Sequence, residues 1–270
     1  MKTIYILFLG LPSLTFAQIE VDFYLDCEAG GNGATLTAAM LEAATHVSGS
    51  FPSGNWSVAG INMGVSSGFE VPLIGPVKVG ATIYDDVGST RGFVCEDLID
   101  NHYAEYDFSP NYRGDLSFGC WWSSPDDDGK YVTIDHLIFN EHSGKWAAMQ
   151  SFLNEVWIHN DTGNGQVITF AYDTAYWVTM DIVPGGTCTL ELYNTAGVLV
   201  GRSTKAMSGS TLRNFRFGRS DAHNGATGGF IKFDDMIMDT TDQTFPLLPT
   251  AIEGVAPAPP TNLRINPSES

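Results

Sequence analysis

The sequence predicts an all-β protein folded as a two-sheet antiparallel sandwich, on three observations. Apolar and polar residues alternate with period two in one short run after another. Gly, Asn, Asp, Ser and Pro punctuate the chain between those runs. Helix-forming stretches are scarce, and the strand–helix–strand alternation of a parallel sheet is missing. The 270 residues are 43% hydrophobic, enough for one sizeable core. The 29 glycines exceed the usual share of about 7%, as a turn-rich fold requires.

The elements follow in chain order. Residues 1–17, MKTIYILFLGLPSLTFA, read as a signal peptide. Lys2 gives the positive start, Ile4 to Leu11 the apolar stretch, and Thr15 and Ala17 the small residues before a cleavage ahead of Gln18. No later run reaches the roughly 18 apolar residues of a membrane helix, so membrane insertion is not expected. The expected location is secreted, extracellular or periplasmic. Leu36–Thr45 contains good helix formers, with Thr35 placed to cap them. In Asp115–Trp122 (DLSFGCWW), Leu116, Phe118, Cys120 and Trp122 share one face. Further strands are predicted over Tyr131–Phe139, Glu155–His159, Gln166–Tyr172 and Tyr176–Val183. Thr187–Tyr193 and Val198–Arg202 flank Asn194–Gly197, the clearest hairpin. Arg213–Phe217 and Gly229–Met238 are the last two strands. The predicted domain covers residues 18–245. Residues 246–270 form a Pro-rich linker or tail, in which VAPAPP is stiff and PPTNLRI is similar to the opening of a fibronectin type III module.

Thirteen Lys and Arg stand against 31 Asp and Glu, a net charge of −18. That balance excludes nucleic acid as a partner, because phosphates are held by clustered cations. Cys27, Cys95, Cys120 and Cys188 lie in an exported chain, where disulfides are permitted. Four cysteines allow three pairings, and Cys95–Cys120 is favoured because both sit in neighbouring predicted strands.

Two stretches resemble concanavalin A-like jelly rolls of the laminin G-like, secreted bacterial type. The first is DFYLDCEAGGNGATLT (Asp22–Thr37), similar to that family's entry strand and acidic turn. The second runs from YWVTMDIV through TLELYNTAGVLVG and RNFRFGR to GGFIKFDDMIMDTT (Tyr176–Thr241), the family's closing order of strands. The resemblance implies two curved antiparallel sheets. It implies no single function, since the fold carries lectins, adhesion modules, lyases and hydrolases. It also implies a structural calcium ion (Ca2+) joining first and last strands, at Glu28 with Asp234 and Asp235.

Catalytic constellations are not evident. The laminarinase-like branch of the fold carries E-x-D-x-x-E on one strand; the nearest string starts at Glu20 and Asp22 and has Leu25 in the last acidic place. The lyase-like branch uses Gln-x-His, where this chain has Trp157-Ile158-His159. GxSxG, HExxH and P-loop strings do not occur. Aromatic residues are the stronger candidates, because a sugar's apolar face packs on a ring while its hydroxyls bond nearby polar groups. Trp121 and Trp122 point to opposite faces of their strand, so one is expected in the core and the other on the outer or concave sheet surface. Glu155, Trp157 and His159 share a mixed face expected to be exposed. His136 lies in a strand and is a candidate to line a cleft. The expected function is a non-catalytic recognition module for polysaccharide or a cell-surface glycan. The alternative is a polysaccharide-degrading enzyme assembled around Glu155, His159 and His136.

Overall fold

The computed structural model describes residues 19–27, 30–60, 63–67, 69, 71, 76–84, 91–96, 102–126, 133–141, 146–207, 209–219 and 229–241. The signal segment 1–17, Glu28 and the tail 246–270 lie outside the described residues. The chain opens with β1 (Ile19–Val21), β2 (Phe23–Leu25), α1 (Ala38–Ala44), β3 (Thr45–Val47), β4 (Gly54–Ala59) and β5 (Met63–Ser67). It continues with β6 (Val77–Val79), β7 (Thr82–Tyr84), β8 (Arg91–Glu96), β9 (His102–Tyr112), β10 (Leu116–Ser123), β11 (Thr133–Glu141) and β12 (Trp146–Phe152). It closes with β13 (Glu155–Asn160), β14 (Gly163–Asn164), β15 (Ile168–Thr169), β16 (Tyr176–Ile182), β17 (Thr187–Tyr193), β18 (Leu199–Ala206), β19 (Leu212–Arg219) and β20 (Phe230–Asp239).

Two antiparallel sheets pack face to face, as the alternating runs predict. One has nine strands, ordered β18-β17-β16-β10-β20-β2-β3, with β8 pairing Phe230–Phe233 on the edge of β20 whose other end pairs with β2, and β5 beyond β8. The other has eight, ordered β14-β13-β12-β11-β19-β9-β4, with β15 beside β13. Leu116, Phe118, Cys120 and Trp122 all turn into the core between the sheets, joined by Phe139, Phe215, Phe217 and Phe233. The rings meet across the sandwich: Phe118 lies 5.1 Å from Phe215, and Phe217 meets Phe233 edge-on at 5.5 Å.

A third layer lies on the outside of the nine-stranded sheet. β1 pairs with β6 in parallel and β6 with β7 antiparallel. Ile19, Val21, Val77 and Val79 from this small sheet bury Tyr24, Trp121, Trp177, Tyr193 and Ile237, the outward-facing residues of the larger one. Asp22, between β1 and β2, ties this layer down. Its Oδ1 accepts hydrogen bonds from Ser48 Oγ and Ser50 Oγ at 2.6 Å each, and its Oδ2 accepts from Thr240 N at 3.1 Å. Burial alone would raise the Asp22 pKa; the hydroxyls of Ser48, Ser50 and Thr240 outweigh it and hold the carboxyl below its ordinary value.

Several expectations need correction. The helix is capped by Thr37, whose Oγ1 accepts from Met40 N at 3.2 Å, while Thr35 bridges to Gly64. The strand predicted over Gln166–Tyr172 shrinks to Ile168–Thr169, because Phe170 N turns to Asn154 O and Ala171 N to the Tyr176 hydroxyl. The four cysteines are buried thiols and none forms a disulfide. β8 and β10 lie on opposite edges of β20, with Cys95 opposite Ile231 and Cys120 several residues further along, between the partners of Ile237 and Asp234; two strand spacings alone, about 10 Å, exceed the reach of roughly 7 Å between bridged Cα atoms.

Candidate functional site

The eight-stranded sheet carries no third layer among the described residues, and its outer face is polar. Period-two alternation on β9 turns Ala104, Tyr106 and Phe108 inward and Tyr103, Glu105 and Asp107 outward. On β19 it turns Phe215 and Phe217 inward and Asn214 and Arg216 outward. Register then sets the outward residues in rows. Asn140, Asn214 and Asp107 form one row across β11, β19 and β9. The next runs from His159 through Ala148, Ile138, Arg216 and Glu105 to Ser57 on β4.

Hydrogen bonds connect the rows. Asn140 Nδ2 donates to Asn214 Oδ1 at 2.7 Å, and Asn214 Nδ2 donates to Glu105 Oε2 at 3.0 Å and Asp107 Oδ1 at 3.3 Å. Arg216 Nε donates to Glu105 Oε2, and its guanidinium lies 4.5 Å from the centre of the Tyr103 ring. Asn214 and Glu105 are buried at the centre of this network, while Tyr103, Asp107 and Arg216 around them are half-exposed, so the surface presents groups fixed from below without ordering long side chains on binding. A second, smaller chain lies toward β13: Trp157 Nε1 donates to Gln150 Oε1 at 3.2 Å, and Gln150 Nε2 donates to Asp135 Oδ1 at 2.7 Å.

The predicted site residues do not form one cluster. Trp157 and His159 do share the outer face of β13 with Glu155, and His159 Nδ1 meets Asn164 Oδ1 at 2.5 Å. The Trp157 ring, however, is only 6% exposed and held by Gln150, so it offers little stacking surface. Trp121 and Trp122 are both fully buried, against the expectation that one is exposed. Trp122 lies in the core, and Trp121 packs edge-on against Trp177 at 5.4 Å beneath the third layer. His136 also turns inward, since a bulge between Asp135 and Leu137 shifts β11. It packs edge-on against Trp122 at 5.0 Å, and its Nε2 meets Ser151 Oγ at 2.7 Å. Burial pushes its pKa down to about 3, so the ring is neutral and lines no cleft. The trio of Glu155, His159 and His136 is therefore not assembled.

The proposed metal ligands sit elsewhere. β2 runs antiparallel to β20, with Tyr24 opposite Ile237 and Leu25 opposite Met236, so the chain beyond Leu25 runs alongside Asp235 and Asp234. Both aspartates are buried, at 0% and 2% exposure. Asp235 adopts a φ of 47°, its amide donates to Asp234 Oδ1 at 3.0 Å, and the Tyr24 hydroxyl donates to its Oδ1 at 3.3 Å. The thiols of Cys27 and Cys120 are pushed up by burial and then by these two carboxylates. No three His, Cys, Asp or Glu side chains among the described residues group as metal ligands, and Glu28 lies outside those residues.

The residues that build the polar face are ones that the sequence patterns do not single out: Tyr103, Glu105, Asp107, Asn214 and Arg216. Their signal is the acid–aromatic alternation of AEYDF and the polar–aromatic alternation of NFRF. The acidic string noted near the N-terminus has a structural role instead: Glu20 pairs with Lys78 at 3.0 Å, and Asp22 is the tie described above.

No family model matches the chain, and no curated protein matches it. Solved structures of similar shape include the binding domain of Paraclostridial mosquitocidal protein 1, at 12% identity and a TM-score of 0.45, covering 69% of this chain and 44% of that one. The binding domain of botulinum neurotoxin serotype G gives 11% identity and a TM-score of 0.48, covering 79% of this chain and 49% of that one. A cellulose-induced protein gives 11% identity and a TM-score of 0.41, covering 69% and 91%. The chain thus spans less than half the length of the two binding domains. At these scores none of the likenesses carries a ligand or an activity over to this chain, and the functional reading rests on the sheet face itself.

Proposed function

We propose that the protein is an exported, non-catalytic carbohydrate-recognition module of concanavalin A-like kinship, binding polysaccharide or a cell-surface glycan on the outer face of the eight-stranded sheet. The observation that carries this reading is the cross-strand network of Tyr103, Glu105, Asp107, Asn140, Asn214 and Arg216. Such a row of fixed amide, carboxylate and guanidinium groups matches the closely spaced hydroxyls of a sugar, each able to donate and accept. The signal-like segment 1–17 supports export. Among the described residues, no helix is long and apolar enough to cross a membrane.

The test is retention on a panel of insoluble and immobilised polysaccharides. The wild-type chain is expected to be held by at least one polymer, and Tyr103→Ala and Asp107→Ala, both at half-exposed positions, to weaken that retention about tenfold at nearly unchanged melting temperature. Failure of every polymer to retain the protein, or full retention by both variants, overturns the reading.

One observation favours a second reading, a polysaccharide-cleaving enzyme. Glu105 and Asp107 accept from a single amide nitrogen of Asn214, at 3.0 and 3.3 Å, which holds the accepting oxygens within about 6 Å of each other, close to the roughly 5–5.5 Å of a retaining glycosidase pair. Reducing-end release from the polymer that binds, abolished by Glu105→Gln, would establish that reading in place of the first.

Calcium is proposed as a structural ion at Asp234 and Asp235, with Glu28 completing the site. Two adjacent buried carboxylates on a strongly acidic chain support it, because buried charge is normally paired or bound to metal. The ion's preference for oxygen selects the aspartates over the nearby thiols. Bound calcium would raise the melting temperature, and chelator would lower it again. Equal melting temperatures with calcium and with chelator remove the proposal.

A further inference from the structure

We propose that a groove at the edge of the nine-stranded sheet binds one uncharged ring of pyranose size, independently of the polar face on the other sheet. The groove has a volume of about 320 Å³ and lies between the loop at residues 32–35, the strand β5 and Phe230. Phe230 is 48% exposed and is the one exposed aromatic side chain among the described residues. The other described rings are buried or half-buried, so a ring left standing at the wall of a cavity marks a place where contact is made with something else.

The opposite wall is built and held. Gly33 N donates to Val65 O at 2.8 Å, Val65 N to Ala34 O at 3.0 Å, and Leu36 N to Met63 O at 2.8 Å, so the loop is laced to β5 as an extra strand segment. Arg91 Nη1 donates to Gly30 O at 2.7 Å and anchors the start of the loop. Gly64 permits this close approach, since a Cβ there would meet Ala34 O at 2.9 Å. Val94, opposite Gly64, supplies apolar side-chain surface, while Met63 and Val65 turn their side chains into the core.

The lining selects the ligand. None of the lining residues carries a charge, although the chain as a whole has 31 acids and Glu96 and Lys232 are the cross-strand partners of Phe230 and Val94. A charged ligand would shed water there and find no charged group in the lining itself. The polar groups at the rim are neutral. Asn32 Oδ1 already accepts from Ser67 N at 2.9 Å, so the side chain offers its amide hydrogens. Ser66 Oγ donates to Ser67 O at 3.1 Å, so it offers lone pairs. Phe230 supplies a flat apolar surface. A ring with one apolar face and hydroxyls at its edge satisfies all three, and the volume lies at the lower end of small-ligand pockets, about 300–1,000 Å³.

The experiment titrates methyl glucoside, methyl galactoside and methyl mannoside into the isotopically labelled protein, with glucuronate as the charged control. At least one neutral glycoside is expected to shift the amide resonances of Gly33, Gly64 and Ser66, with glucuronate binding at least tenfold more weakly. Phe230→Ala is expected to weaken the neutral ligand about tenfold and Phe230→Tyr to retain it. Since Phe230 is exposed, neither change threatens the fold. Absence of these shifts with every neutral glycoside, equal binding of glucuronate, or an unaltered affinity in Phe230→Ala overturns the proposal. Shifts confined to β9 and β19 would overturn it while leaving the reading of the polar face intact.

Discussion

The outer faces of the two sheets are written in the same alternating code and meet opposite fates. On the nine-stranded sheet the outward positions at the β10–β16–β17 end include Trp121, Trp177 and Tyr193, and the small sheet of β1, β6 and β7 closes over them. On the eight-stranded sheet the outward positions include Tyr103, Glu105, Asp107, Asn214 and Arg216, linked to one another across the strands. Trp121 and Trp177, outward on one sheet, are thus packing residues, whereas Tyr103, outward on the other, stays half-exposed. Local alternation decides which residues leave the central core; whether a further layer then covers them decides between stability and recognition.

Trp121 gives the sharpest test of that contrast. It is fully buried and packed against Trp177, so Trp121→Ala removes a large ring from a filled layer. A loss of about 3–5 kcal/mol in unfolding free energy is expected, measured by chemical denaturation, with glycan retention unchanged in whatever fraction stays folded. A variant as stable as the wild type but defective in binding would reverse the assignment of the two faces.

Next in size is a pH effect at β11, where Asp135 and His136 turn to opposite sides of the same strand. The His136 pKa is lowered to about 3 by burial, against an ordinary value near 6.5. Between those values the unfolded chain binds a proton that the folded chain refuses, so stability is full above about pH 6.5 and falls as the pH drops toward 3. The expected loss is on the order of 4 kcal/mol across that window, followed by denaturation at successive pH values. His136→Gln should flatten the curve between pH 6 and 4. An unchanged slope in that variant would mean that other groups carry the acid sensitivity.

Much of the architecture was legible in the chain, and the gaps have physical causes. The β17–β18 hairpin announces itself because Asn194 Oδ1 caps the turn, accepting from Ala196 N and Val198 N at 3.0 Å each, while Gly197 takes a φ of 76°. The core face of β10 follows directly from period two. The strand β9 was not predicted, because its outward positions carry Glu105 and Asp107, which weaken a strand signal read from apolar content. The candidate site was missed along with it. The three-residue strands β1, β6 and β7 are too short to establish any period. Nothing near Trp121 in the sequence announces the layer that buries it, since Val77 and Val79 come from a distant segment.

The smallest expected effect concerns how the covering layer is held. Lys78 Nζ and Glu20 Oε1 pair at 3.0 Å across β1 and β6, and both side chains are partly solvated. The parallel register of Ile19 with Val77 and Val21 with Val79 places the apolar residues of both strands on the buried side. If burial of those four side chains closes the layer, the ion pair is an ornament of the register and Lys78→Ala should cost less than about 0.5 kcal/mol. That cost should shrink further at high salt, where exposed pairs are screened. A loss above 2 kcal/mol, insensitive to salt, would show instead that the pair fixes the register of β1. Coverage of Trp121 would then depend on one surface contact, and the difference between the two faces would be far less secure than the buried contacts imply.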